Sequence, residues 1–142
     1  MWLTRWIVTG ATVLFAVGCS GDKAPSLDTR TAVQLTAEQH NAVLLEMRTM
    51  LASVNGALGA TARGDSVAIR AAANASGMAV AADPALEKLL PADWLKLATQ
   101  THQGFDSLAV ASGGGRDTVV ARLGRVTTGC VSCHAMYRLT TR

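Results

Sequence analysis

Cys130-Val131-Ser132-Cys133-His134 is the stretch whose residue types and spacing carry the clearest chemistry. C-x-x-C-H is the pattern of covalent c-type haem attachment. Two thiols add across the two vinyl groups of the porphyrin and form thioether bonds. The adjacent imidazole is then held where it can bind the iron from one side. On a helix these three side chains fall within about 100° of arc. They share a face with Leu123, Val126 and Tyr137. Other chemistries fit the same residues less well. A thioredoxin-like dithiol belongs beside a βαβ pattern, which is absent. A zinc site needs about four ligands, and His40 and His102 are not clustered with the cysteines. A structural disulfide leaves His134 without a role.

A second axial ligand must come from upstream, because only residues 135–142 follow His134 and Met136 shares its helix. Met47 is the expected ligand. It lies at the centre of an inward helical stripe, and its unbranched thioether can reach an iron. Met50 stands about 60° from that centre. His40, two turns before Met47, would give bis-histidine ligation. His102 reads as a polar contact at the bundle surface or near a propionate. The competing reading is that Met47 is core filler and the sixth position is open. Arg48, beside Met47, and Arg138, one turn after His134, are candidate partners of the haem propionates. Either arginine could equally be solvated.

The elements that must position these groups read as helices. Thr36 and Gln39 form a capping box ahead of Val43, Leu44, Met47, Met50, Leu51, Val54 and Leu58. Gly59 and Gly64 mark the end of that helix. Asp65 or Ser66 caps a second, Ala-rich helix from Val67 to about Ala82, which Asp83-Pro84 stops. Pro84 to Leu90 reads as one or two extra turns. Pro91 suits the first position of a third helix, whose stripe runs from Trp94 to Ser112. Gly113-Gly114-Gly115 breaks it, and Asp117 caps a fourth helix that carries the haem motif and Tyr137. No stretch alternates with period two long enough to propose a sheet. The expected fold is all-α, an antiparallel four-helix bundle with covalently bound haem.

Composition agrees with one helical domain. The 142 residues are 49% hydrophobic, 16% charged and 4% aromatic, which excludes a disordered tail. The net charge is +3, without a basic cluster or aromatic–basic interleaving, so no nucleic-acid footprint appears. Arg5 followed by apolar Ile7 to Val17 reads as an export signal too short to span a bilayer. Ala16-Val17-Gly18-Cys19 is similar to a bacterial lipobox, although Leu would be usual where Ala16 stands. The expected division is a lipoprotein-type signal peptide over 1–18, a tether over 19–35 and a cytochrome domain over 36–142. Acyl chains on Cys19 would anchor the chain. The alternative is an ordinary signal peptide with Cys19 incidental.

Over about residues 36–140 the chain resembles the class II cytochromes c, the cytochrome c-prime family and its low-spin, Met-ligated relatives. The likeness rests on Cys130-Val131-Ser132-Cys133-His134-Ala135-Met136-Tyr137-Arg138 near the carboxyl end, and on Leu45-Glu46-Met47-Arg48-Thr49-Met50-Leu51. It implies haem between the helices, His134 proximal, and a distal ligand or blocker at Met47. A one-turn slip in alignment would bring Met50 or Leu51 there. The lipobox departs from the soluble form usual in the family.

The expected function is a periplasmic, membrane-tethered electron carrier with one haem c, redox partner proteins and no enzymatic activity. Family members often dimerise through helices, so a homodimer is open. The alternative is a five-coordinate haem protein binding nitric oxide or carbon monoxide behind a wall of Val43, Leu44, Met47 and Leu51. A remoter alternative is a haem-free helical lipoprotein acting as an interaction module.

Overall fold

A computed structural model describes residues 27–81 and 84–142. Cys19 and the segment read as a signal peptide lie outside the described residues. The protein is mostly helical, as expected, with five α-helices among the described residues: α1 Ala37–Arg63, α2 Ser66–Asn74, α3 Pro84–Glu87, α4 Ala92–Val110 and α5 Arg116–Met136. It also has a small sheet, which the sequence did not suggest. Strand β1, Thr31–Leu35, pairs in parallel with β2, Tyr137–Thr141, in the register Thr31↔Tyr137 to Leu35↔Thr141.

The sheet corrects two expectations. Residues 31–35, read as the end of the tether, belong to the folded body. Tyr137, read as the last residue of the haem-motif helix, opens a strand. Each strand is only five residues long, so its alternation is too brief to separate from chance. Inward-facing Val33, Leu35 and Tyr137 are buried. A parallel pair needs a long crossover, and here the whole helical body provides it.

The capping box of α1 forms with both bonds: Gln39 N donates to Thr36 Oγ1 at 3.2 Å and Thr36 N to Gln39 Oε1 at 3.0 Å. Helix α2 ends at Asn74, well short of the expected Ala82. The cause lies in α4. The Ser76 carbonyl accepts from His102 Nδ1 at 2.8 Å, and the Asp106 carboxylate accepts from Met78 N at 3.3 Å. Side chains of α4 thereby replace the partners that a continuing helix would have supplied. Glycine suits position 77, since a Cβ there would clash with Asp106 Oδ1 and displace that carboxylate from Met78 N.

Pro91 occupies the N-cap of α4 rather than its first position. Gly115, not Asp117, is the N-cap of α5, and Asp117 falls in the first turn. There its carboxylate still complements the positive end of the helix dipole.

Two apolar clusters hold the body together. Ala57, Ala60, Ile69, Phe105, Leu108, Val119, Leu123 and Val126 join α1, α2, α4 and α5. Val33, Leu35, Val43, Trp94 and Tyr137 join the sheet to α1 and α4, with Met47 and Cys133 packed against them. Trp94 and Tyr137 meet edge to face at 5.3 Å and 62°. Phe105 is fully buried in the first cluster. Phe105→Ala is expected to cost about 3–5 kcal/mol, measured as a lower denaturant midpoint. A loss below 1 kcal/mol, on the order of a surface substitution, would contradict this account of the core.

Candidate functional site

The haem motif occupies the last two turns of α5, and Gly129, just before it, brings that helix against α4. A Cβ at position 129 would lie 2.6 Å from Thr101 Oγ1. Cys130, Cys133 and His134 then face one cavity of about 870 Å³. That volume lies within the 300–1,000 Å³ common for ligand and cofactor sites. Its walls are mainly apolar. Leu44, Met47, Met50, Leu51 and Val54 come from α1, and Trp94, Leu95 and Ala98 from α4.

Both cysteines are free and half-buried. The Cys130 thiol points back to the Val126 carbonyl at 3.6 Å. Burial pushes both thiols up, and for Cys133 the neighbouring Cys130 adds to the effect. They also sit near the negative end of the α5 dipole. Low-pKa redox thiols have the opposite setting, at a helix N-terminus or beside a cation. The environment therefore disfavours a thioredoxin-like dithiol. Zinc fares no better: among the described residues no group of three or more His, Cys, Asp or Glu side chains is placed to hold a metal ion.

His134 is exposed and lines the cavity. Its carbonyl accepts from Arg30 Nη1 at 3.2 Å. Arg30 is in turn bound by Asp28, with bonds of 2.9 Å to Nε and 2.7 Å to Nη2. Those bonds hold the Asp28 carboxyl down at about 2. The segment before α1 thus closes the carboxyl end of the haem-motif helix. Arg30 was not among the residues singled out from the sequence, and its distance along the chain from His134 gave no signal.

Met47 is half-buried, lines the cavity and packs on the same cluster as Cys133. Met50 also lines the cavity but packs on the other cluster. His40 is not among the lining residues.

The two arginines separate. Arg48 is exposed at the cavity wall. Arg138 does not line it. Strand geometry turns Arg138 to the face opposite Tyr137, where its Nε lies 3.9 Å from Asp28 Oδ2, buried and without a hydrogen-bond partner. A propionate contact for Arg138 was expected from helical spacing after His134. The helix ends at Met136, so that spacing does not apply.

His102 corrects another expectation. It is buried, only 4% exposed, rather than a surface contact. Its Nε2 donates to Glu46 Oε1 at 3.1 Å and its Nδ1 to the Ser76 carbonyl at 2.8 Å. The Glu46 hydrogen bond raises its pKa most, and burial opposes the rise. A proton held more tightly in the folded state stabilises that state fully below the ordinary 6.5, and the stabilisation fades as pH climbs through the raised value. The denaturant midpoint of the wild type is therefore expected to converge on that of Glu46→Ala as pH rises from 6 to 9. A gap that stays constant over that range would show that the pair contributes no proton linkage.

Comparison of the chain with protein-family models, with curated proteins and with solved structures gives no match. No described helix is long and apolar enough to cross a membrane.

Proposed function

We propose that this chain is a c-type haem protein, with Cys130 and Cys133 as the attachment residues and His134 as an axial ligand. Within that class we read it as a Met-ligated electron carrier of the class II cytochrome kind. Helices α1, α2, α4 and α5 would be the four helices of its bundle. The observation that carries the reading is that all three residues of the C-x-x-C-H motif line one apolar cavity, and that Met47 lines the same cavity. A cavity of about 870 Å³ with two buried-side thiols on one wall fits a large flat apolar cofactor.

Bound there, haem would supply a one-electron Fe(II)/Fe(III) couple. The chain's own residues do the rest. Cys130 and Cys133 fix the attached edge. His134, one residue on, lines the same cavity and would bind the iron. The mainly apolar walls would keep the surroundings of low polarity, and a methionine sulfur as second ligand would favour the reduced state. Arg48 at the wall is the cation best placed for a propionate. Electrons would enter and leave through redox partner proteins, and no substrate chemistry is required. The export signal and Cys19 support a periplasmic, lipid-tethered location.

The optical spectrum of the matured protein tests the reading, in both oxidation states, with and without carbon monoxide. A low-spin spectrum with a weak methionine-to-ferric-iron band and no prompt carbon monoxide shift is expected. A high-spin spectrum with prompt binding would favour the second reading, a gas-binding protein. The apolar wall of Leu44, Met47 and Leu51 would suit that role as well.

A further inference from the structure

Helices α1 and α4 both line the cavity, yet their backbones scarcely approach one another: α1 packs on α2 and α5, and α4 on α5 and α2. Side chains link them in two ways, through the apolar cluster that holds Val43 and Trp94 and through a polar bridge. Glu46 Oε1 on α1 accepts from His102 Nε2 on α4 at 3.1 Å. The other ring nitrogen donates to the Ser76 carbonyl at 2.8 Å. Ser76 Oγ lies 2.8 Å from Ser53 Oγ, two turns along α1. One buried imidazole thus ties α1, α4 and the turn after α2 together.

Glu46 immediately precedes Met47, so whatever fixes Glu46 fixes the height and rotation of α1 at Met47. Such support matters because methionine has three rotatable side-chain bonds and does not orient itself. The apolar cluster of Val43 and Trp94 also joins the two helices, but it is non-directional, whereas the bridge fixes one geometry. A charge-assisted bond to a buried ring is also stronger than a neutral or solvated one.

We propose that Glu46 and His102 form a positioning strut that holds Met47 toward His134, so that the sixth coordination position stays closed. The inference rests on the reading of Met47 as an axial ligand. Glu46 and His102 both line the cavity, but they are bonded to each other and to the Ser76 carbonyl, so they are proposed to act through the placement of α1.

The test uses the matured holoprotein and its Glu46→Ala, Glu46→Asp and Glu46→Gln variants, with Met47→Ala as the reference. The readouts are the methionine-to-ferric-iron band and the rate of carbon monoxide association with the ferrous protein. Circular dichroism checks that each variant keeps its helices. Glu46→Ala is expected to lose the band and bind carbon monoxide roughly tenfold faster or more, as the open conformer gains population. Glu46→Asp keeps the charge but falls one methylene short of the imidazole, and should behave in the same way. Glu46→Gln keeps an acceptor oxygen in place and should restore most of the band. The strut is overturned if Glu46→Ala and Glu46→Asp match the wild type while Met47→Ala loses the band. If Met47→Ala itself matches the wild type, the axial reading fails first, and the strut fails with it.

Discussion

Replacing Cys130 and Cys133 together by serine is expected to abolish the haem that survives denaturing electrophoresis. Serine keeps the shape and a hydrogen-bonding atom but cannot form a thioether. His134 would remain, and a lone imidazole binds iron reversibly. Both positions are half-buried and line the same cavity, so the change should leave the helices intact. Each single variant retains one thiol and is expected to keep a weaker band. The fold gives the experiment its discrimination. Raised thiol pKa values and a place at the carboxyl end of α5 make these cysteines poor thiolate nucleophiles. Loss of an unrelated dithiol activity would therefore be a surprising explanation. Full retention of haem in the double variant would sink the attachment site. A wild-type chain that carries no haem after export with intact maturation machinery would revive the haem-free helical lipoprotein.

The helical character and the motif were legible because each depends on local pattern. The Thr36–Gln39 box is a four-residue signal, and both its bonds form. Placing Cys130, Cys133 and His134 on one face needed only the helical repeat, and all three reach one cavity. What failed was mainly non-local. Asn74-Ala75-Ser76-Gly77 is a local turn signal that the Ala-rich pattern masked, and His102 and Asp106 on α4 supply the partners that make α2 stop there. Strand β1 exists only against β2, at the far end of the chain. The helical spacing used for Arg138 fails for the same reason, since pairing with β1 turns helix into strand at Tyr137. Met47 and Met50 show the limit in between. Periodicity ranked them by angle, and both line the cavity. The apolar cluster each one joins, Met47 with Trp94 and Cys133, Met50 with Phe105, depends on tertiary packing.

That difference makes Met47→Leu and Met47→Ala the sharpest pair of substitutions. Methionine at this position does two things at once: it packs on the apolar cluster that includes Val43 and Trp94, and it lines the cavity. Leucine conserves the volume and should cost less than about 1.5 kcal/mol. Alanine removes both volume and sulfur. Because Met47 is only half-buried, its loss should cost roughly 1–2 kcal/mol, below the range for fully buried sites. If the sulfur is a ligand, both variants lose the methionine band and turn high-spin, and both bind carbon monoxide promptly. Their potentials should fall by on the order of 100 mV, because the thioether that favours the reduced state is gone. Met50→Ala shares the wall but packs on the Phe105 cluster, so its spectrum should remain that of the wild type. If Met47 is packing alone, Met47→Leu is spectroscopically silent and only the alanine variant is less stable. A spectrum altered by Met50→Ala and not by Met47→Leu would move the ligand one turn along α1. Either helix position would leave His134 as the proposed first ligand, so the three substitutions separate the identity of a second ligand from the existence of the site.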